Sequence, residues 1–444
     1  MAAVGIHRTV GVCRQLVKSG WLVTVVAAQP SAEEAQDLGT LADVPAEIRV
    51  VRTPAPNLLR AAARLLNTCR KAKLAEGATP ASVPSEPAPA RPSTLNRTID
   101  WFSWWLCVPD TKTSWIPGAA CAGFREAGRG RPDVIFSTAP AWTSHLVAAI
   151  LSRLLRVPWV ADFRDPWYGS HFRVPPHAAH NRMNERLEKR VMAGATEVTC
   201  AWDGIRRLLA ARYPHKAGHI RTVLNGFDPE QIDPIAPKAI ENGRCVFLHA
   251  GNLYGPRSPV PLLDGLGFLK RDRPDLANRA RLVFLGTAAY RNQALSELAD
   301  LSGVGDLVRV IPMVPHKEAI AMLKASQVAV LLGQSGTVEL ASIPAKAYEY
   351  IGTGKPVLAI GGGDEVCNVM QRGGCRVWRT PDDPASIASV LKDILTDHES
   401  TGPREQDNQA SRLAFTRTRM AEDLGAVLRL AAAKGTRRPT AGSP

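Results

Sequence analysis

Residues 336–365 read GTVELASIPAKAYEYIGTGKPVLAIGGGDE, and this stretch decides the fold. A loop of small residues runs into Pro344, which suits the start of a helix because it gives up an N–H that would be unpaired there. AKAYEYIG continues the helix. Gly352 and Gly354 are expected to stop it, and Lys355-Pro356 leads into the apolar strand VLAI and three glycines. Helix, tight turn and buried strand in so few residues is the grammar of a parallel α/β sheet. Lys346 stands in the first helical turn, where the helix dipole disfavours a cation by a few tenths to about 1 kcal/mol. An anion at the same place would explain it, because a helix N-terminus is a ready phosphate site. Glu349, one turn further on the same face, has the two oxygens needed to accept from a vicinal diol such as a ribose. Read alone, the two residues also fit a solvated ion pair on an ordinary helix.

Outward from this stretch, the chain of 444 residues is too long for one core and predicts two or three domains. Apolar content of 45% and charged content of 22% are those of a globular protein. The formal charge of +14 suits phosphorylated substrates, an anionic membrane surface or nucleic acid. No Lys/Arg run or nucleic-acid motif supports the last, so no nucleic-acid partner is expected. The eight cysteines have no CxxC spacing and read as small buried hydrophobes in a reducing compartment. The longest apolar stretch, Val147 to Val160, is interrupted by Arg153 and Arg156 and is too short to span a bilayer. The N-terminus has no signal-peptide pattern. A cytoplasmic protein is expected.

Residues 6–19 read as a helix and WLVTVVA as a buried strand. A doubly wound domain opens on a strand and a glycine-rich turn before that helix. Only Val4-Gly5 precedes it here, so the first strand is expected to be missing. IRVVR (48–52) is a strand and 58–74 a basic amphipathic helix. Residues 76–98, with five prolines among Ala, Ser and Glu, read as a disordered insertion. Trp101, Phe102, Trp104, Trp105 and Trp115 follow. They read as packed core or as an anchor at a membrane interface. From 131 strands and helices alternate. VPWVADFRDPW is a strand whose carboxyl end carries Asp162, Arg164 and Asp165, and His145 lies near a helix start. Ligands in open α/β sheets lie beyond the carboxyl ends of strands, which places these four at the expected cleft. Asp162 and Asp165 also fit turn or capping acids paired with Arg164. No DxD triplet occurs, so the commonest carboxylate pair for a metal–diphosphate is absent and no metal is expected.

A proline-rich hinge, 229–242, precedes a second α/β series. RCVFLHAGNL is its first strand, and Gly251-Asn252 follows the strand end with Arg257 shortly before the next helix. A flexible cation beside a glycine turn is a candidate diphosphate contact, and a solvated loop arginine is the plainer reading. Residues 404–433 show helical spacing throughout.

VPWVADFRDPW, TVLNGFD, HAGNLYGPRSPVPLLDGL and IPAKAYEYIGTGKPVLAI, in this order, resemble the family 4-type retaining glycosyltransferases of the GT-B fold. FRDPW is similar to a bacterial subgroup met in surface polysaccharide and glycolipid assembly. The resemblance implies two Rossmann-like doubly wound domains facing across a cleft. It implies an acceptor domain at 1–235, a nucleotide-sugar domain at 236–403, a helix at 404–433 crossing back to the first domain, and a disordered tail at 434–444. Arg257 and Lys346 match the pair of cations on the donor diphosphate, Glu349 the ribose carboxylate, and Gly251 with Asn252 the turn against the phosphates. Gly5 matches the remnant of a glycine-rich loop. The resemblance also implies that His145, Asp162, Arg164 and Asp165 are acceptor-side residues. The loop of Ser335, Gly336, Thr337 and Glu339 matches the donor-sugar contacts. An acid usual eight residues before the ribose carboxylate is here Ala341, and Glu339 is the nearest substitute.

The implied activity is metal-independent transfer of a sugar, with retention, from a nucleotide-sugar to a lipid-linked or saccharide acceptor. Peripheral contact with an anionic membrane on its cytoplasmic face would go with it. The same fold serves nucleotide-sugar epimerases, and a catalytically impaired membrane-associated scaffold is the non-enzymatic alternative.

Overall fold

In the computed structural model the chain is an α/β protein whose contacts divide into two units. The structure describes residues 4–30, 44–56, 108–168, 178–253, 257–333, 343–401 and 409–436. The basic helix at 58–74, the insertion at 76–98 and the aromatics from Trp101 to Trp105 lie outside these residues. One unit comprises residues 1–201, 205–223 and 423–444, and the other 202–204 and 224–422.

The first unit opens on α1, Val4–Lys18. Gly5 therefore lies in the first turn of a helix, not in a loop ahead of one. Strands β1 (Thr24–Ala28) and β2 (Arg49–Thr53) pair in parallel. After α2 (Ile116–Arg129) comes a parallel sheet of β3 (Ile135–Ala139), β4 (Trp159–Phe163), β5 (Glu197–Cys200) and β6 (Ile220–Thr222), in that order. Among the described residues the two sheets share no ladder. Helices α3 (Thr143–Leu155), α4 (Ala178–Gly194) and α5 (Asp203–Arg212) alternate with the strands. Every residue of β4 is buried, as a central strand covered on both faces requires. Trp115 packs with Ala119, Val147 and Leu151 and donates its indole N–H to Thr53 Oγ1 at 2.6 Å, so this member of the aromatic cluster is core.

The second unit is built on a six-stranded parallel sheet. Its strands are β7 (Cys245–Ala250), β8 (Ala280–Leu285), β9 (Val308–Ile311), β10 (Val328–Leu332), β11 (Val357–Ile360) and β12 (Val377–Thr380). The spatial order is β9-β8-β7-β10-β11-β12, so β7 lies inside the sheet beside β10. Connecting helices are α6 (Val260–Asp272), α7 (Leu295–Leu301), α8 (His316–Ala325), α9 (Ala345–Thr353), α10 (Asp364–Arg372) and α11 (Pro384–Thr401). The core joins Phe247, Leu263, Phe284 and Val330 to Ile387 and Leu391.

Two local readings are corrected. Gly352 does not stop α9. It lies inside the helix, where a Cβ would meet Ile232 and Phe227 at 2.7 and 2.8 Å. The stop is Gly354, left-handed at φ 65°. Nor is there one helix over 404–433. The last helix, α12, is Arg417–Thr436, and residues 402–408 lie outside the described set. The chain is extended at Thr416, which bridges Phe227, and Phe227 N–H donates to Phe415 O at 3.0 Å while Arg417 N–H donates to Phe227 O at 2.7 Å. Gly226 permits this approach, since a Cβ there would stand 2.4 Å from the Thr416 carbonyl carbon. Thr416 Oγ1 then accepts from the Arg419 N–H at 3.2 Å and caps α12. Thr416→Val, which keeps the shape and removes the cap, is expected to lower unfolding free energy by about 1 kcal/mol. An unchanged urea midpoint would show that the hydroxyl does not define the helix start.

Candidate active site

The carboxyl ends of β7 and β10 and the first turn of α9 bring four of the expected residues together. Lys346 is the second residue of α9, partly buried. Its ammonium lies beside Gly251, which follows β7 at φ 108°, a conformation that side chains rarely adopt. A Cβ on Gly251 would be 3.7 Å from Lys346 Nζ. The glycine thus keeps the backbone open and the cation uncovered. Arg257 and Lys346 are close enough for Arg257 to push the lysine pKa down. Burial is the larger cause, Glu349 opposes both, and the result is about 7. Asn252 is the next residue of the same turn.

Glu349 and Lys346 are not an ion pair of the simple kind. Glu349 Oε1 accepts from His316 Nε2 at 2.9 Å, at the start of α8. That bond raises the His316 pKa. Lys346 Nζ lies 3.3 Å from Nε2 of His249, a wholly buried residue on β7. Burial first, then the Lys346 charge, keep that imidazole neutral. Sequence reading missed both histidines. The signal for His249 was available: it is the one polar residue of the strand CVFLHA, directly before the glycine turn. Ser335, Gly336, Thr337 and Glu339 lie outside the described residues.

The first unit places His145, Asp162, Arg164 and Asp165 near one another, but His145 and Asp162 are wholly buried, which corrects their assignment to an acceptor surface, while Arg164 and Asp165 are half-buried. Asp162 is wholly buried on β4, flanked in register by Thr138 on β3 and Thr199 on β5. Both hydroxyls donate to it at 2.8 Å, and Arg8 of α1 donates through Nη2 at 3.0 Å and Nε at 3.3 Å. Arg8 Nη2 also reaches Val223 O at 3.1 Å. Asp162 is therefore a brace between α1 and three strands, its partner is Arg8 and not Arg164, and these partners hold its pKa down against burial.

His145 is equally buried. Its Nδ1 shares a 2.8 Å hydrogen bond with Ser137, and its ring lies 4.9 Å from Phe163 beside the stacked pair Trp142–Trp167. Burial lowers its pKa to about 3. Arg164 donates to the carbonyls of Ala139 and Pro140. Asp165 is half-buried, and burial raises its pKa. The FRDPW segment is thus a packing knot in this structure: Phe163 and Trp167 enclose the histidine, and Trp167 is fixed by a 3.1 Å bond to Asn184.

Residues 5–226 match the Glycosyl transferase 4-like domain, and residues 235–412 match Glycosyl transferases group 1. The chain belongs to the family 4-type glycosyltransferases. It is similar to D-inositol 3-phosphate glycosyltransferase 1 of Catenulispora acidiphila, at 26% identity over 64% of this chain and 68% of that protein. It is also similar to the D-inositol 3-phosphate glycosyltransferase of Thermobifida fusca, at 25% identity over 48% of this chain and half of that one. Solved structures of similar fold include sucrose-phosphate synthase from Thermosynechococcus elongatus (TM-score 0.60, 15% identity, 95% and 92% of the two chains). Anabaena HepE in complex with UDP and glucose is another (TM-score 0.60, 14% identity, 97% and 96%). The fold is that of the GT-B glycosyltransferases, and this family member is an enzyme that transfers glycosyl groups.

Because Asp162 neutralises a buried arginine, Asp162→Ala is expected to cost about 3–5 kcal/mol in denaturant unfolding. Its folded pKa lies below the unfolded value of about 3.9, so its contribution is complete above that pH and is lost as pH falls through the folded value. A stable Asp162→Ala protein with only a raised acceptor KM would return the residue to the acceptor surface.

Proposed function

We propose that this glycosyltransferase takes a nucleotide-sugar as donor and moves the sugar, with retention and without a metal, to a lipid-linked or saccharide acceptor. The observation that supports this reading most is the cation at the wrong end of a helix. Lys346 lies in the first turn of α9, against an open glycine backbone, within the field of Arg257 and one turn from Glu349. The helix position, the burial and the field of Arg257 are each unfavourable to the ammonium, and a diphosphate would offset them together. The N–H groups of the first turn, Lys346 and Arg257 would accept its charge, and Glu349 would take the ribose hydroxyls.

The chemistry follows from those charges. When the bond between the anomeric carbon and the β-phosphate oxygen breaks, negative charge collects on that oxygen. Fixed cations and helix N–H groups stabilise it as it forms. The leaving phosphate can receive the acceptor hydroxyl proton on the same face of the sugar, which yields retention with no separate protein base. The two cations supply the charge that a metal would otherwise bring. No helix among the described residues is long and apolar enough to cross a membrane. The curated relatives, named for inositol 3-phosphate, favour a second acceptor class, a phosphorylated polyol.

Lys346→Ala is expected to reduce donor turnover about 100- to 1000-fold with folding intact. Near wild-type turnover in a folded variant would sink the assignment. A ligand anion favours the protonated lysine, whose free pKa is about 7. Affinity for UDP, GDP or dTDP should therefore be strongest below pH 7 and weaken by up to about tenfold per pH unit above it, with proton uptake on binding in calorimetry. Donor incubated alone should show no isomerised sugar by NMR. Isomerisation without acceptor would favour an epimerase.

A further inference from the structure

Resting on the assignment of Lys346 to the donor diphosphate, we propose that His249 is a positioning residue that aims the Lys346 ammonium at that diphosphate. The geometry fixes both ends of the imidazole. Nδ1 lies 3.1 Å from Val330 O on β10, and a carbonyl can only accept, so Nδ1 carries the proton. Nε2 is therefore a lone pair, and it faces Lys346 Nζ at 3.3 Å. Val330 O also accepts from the Tyr350 hydroxyl at 3.0 Å, and Tyr350 belongs to α9 itself. One carbonyl thus ties the strand that carries His249 to the helix that carries Lys346.

The fold leaves room for this bond. The ladder between β7 and β10 covers Phe247 and Leu248 and ends before His249, whose side chain takes over the contact with β10. The ring is wholly buried and packs 6.0 Å from Phe284. An imidazole in an apolar strand is costly unless both nitrogens are bonded, and here one of the two bonds is to the functional lysine. The charged groups facing Lys346 are Arg257 from the segment before α6 and Glu349 on α9, with His316 of α8 bonded to that glutamate. Of these polar neighbours, His249 is the one bonded to Lys346 from beneath, at the strand end. A lysine has four rotatable bonds, and a single acceptor below it confines the ammonium beside Gly251.

The test uses the full chain and inorganic pyrophosphate, which probes the diphosphate site whatever the base. Its dissociation constant is measured by calorimetry from pH 6 to 9 for wild type, His249→Phe and His249→Gln. Phenylalanine keeps the packing and removes the lone pair, and glutamine returns an acceptor near the Nε2 position. His249→Phe should weaken pyrophosphate about 10- to 100-fold, the usual loss for a bond to a charged group. The pH above which affinity falls should also move lower, because the protonated lysine has lost its acceptor. His249→Gln should recover at least half of that loss on a logarithmic scale. Should the phenylalanine variant fail to fold, the glutamine variant decides alone: tight binding with the wild-type pH profile supports the proposal, and a loss like that of Lys346→Ala overturns it. A folded His249→Phe protein with wild-type affinity and pH profile also overturns it, and the histidine is then core filling. Wild type that binds neither pyrophosphate nor any nucleoside diphosphate would bring down the donor-site reading as well, a result distinct from either variant failing alone.

Discussion

A lysine ammonium held in the first turn of a helix is the constraint on which the second unit's site depends. The dipole at that end, burial and the charge of Arg257 all work against it. A long side chain would ordinarily swing away into water. Here the turn at Gly251 presents bare backbone beside it, and the imidazole of His249 accepts from it at the end of a strand. The sheet order explains how this is done. β7 lies beside β10 in the middle of the sheet, so its carboxyl end is surrounded by other strand ends and by the helix that carries the lysine. Position in the sheet, not side-chain reach, sets the geometry.

The first unit uses charge for a different purpose. Asp162 and Arg8 are fully enclosed, with two threonine hydroxyls on adjacent strands completing the acid's shell. Such a pair is poor at raising net stability, because desolvation offsets most of the attraction. It is strong at specifying register: a one-residue slip of β3 or β5 would remove a threonine from Asp162 and leave a lone pair unfilled. It also fixes α1 against the sheet, through the same arginine that reaches Val223.

The contrast explains what could be read in the amino-acid order. Alternating apolar strands and capped helices announced a parallel α/β chain. Lys346 stood out because a cation at a helix start is an anomaly of local sequence, and Glu349 because it lies one turn further on the same face. The meaning of FRDPW was not visible in that way. Charges after a strand look the same whether they face a ligand or the interior, and only Arg8, 154 positions away, decides it. His145 failed for a similar reason: a histidine near a helix start gives no sign of the four aromatic rings that enclose it. The break at Thr416 was hidden because helical periodicity continues through a residue whose backbone is held by Phe227, far away in the chain. Long-range partners, not local preference, made each of these outcomes.

His249 stands between the two cases, and it shows the use of a neutral group as the lysine's hydrogen-bond partner. A carboxylate at Nε2 would hold the ammonium more strongly, but it would also neutralise the charge wanted for the phosphate and repel the phosphate itself. A neutral acceptor orients without competing. The imidazole stays neutral because it is buried beside a cation, so the lysine whose position it fixes also helps keep it in the form that can do so. With the lysine poised at about 7, a dianion bound beside it would raise its proton affinity and draw the missing proton in. The full charge would then appear when there is something to bind it, and the same event would relieve the repulsion from Arg257.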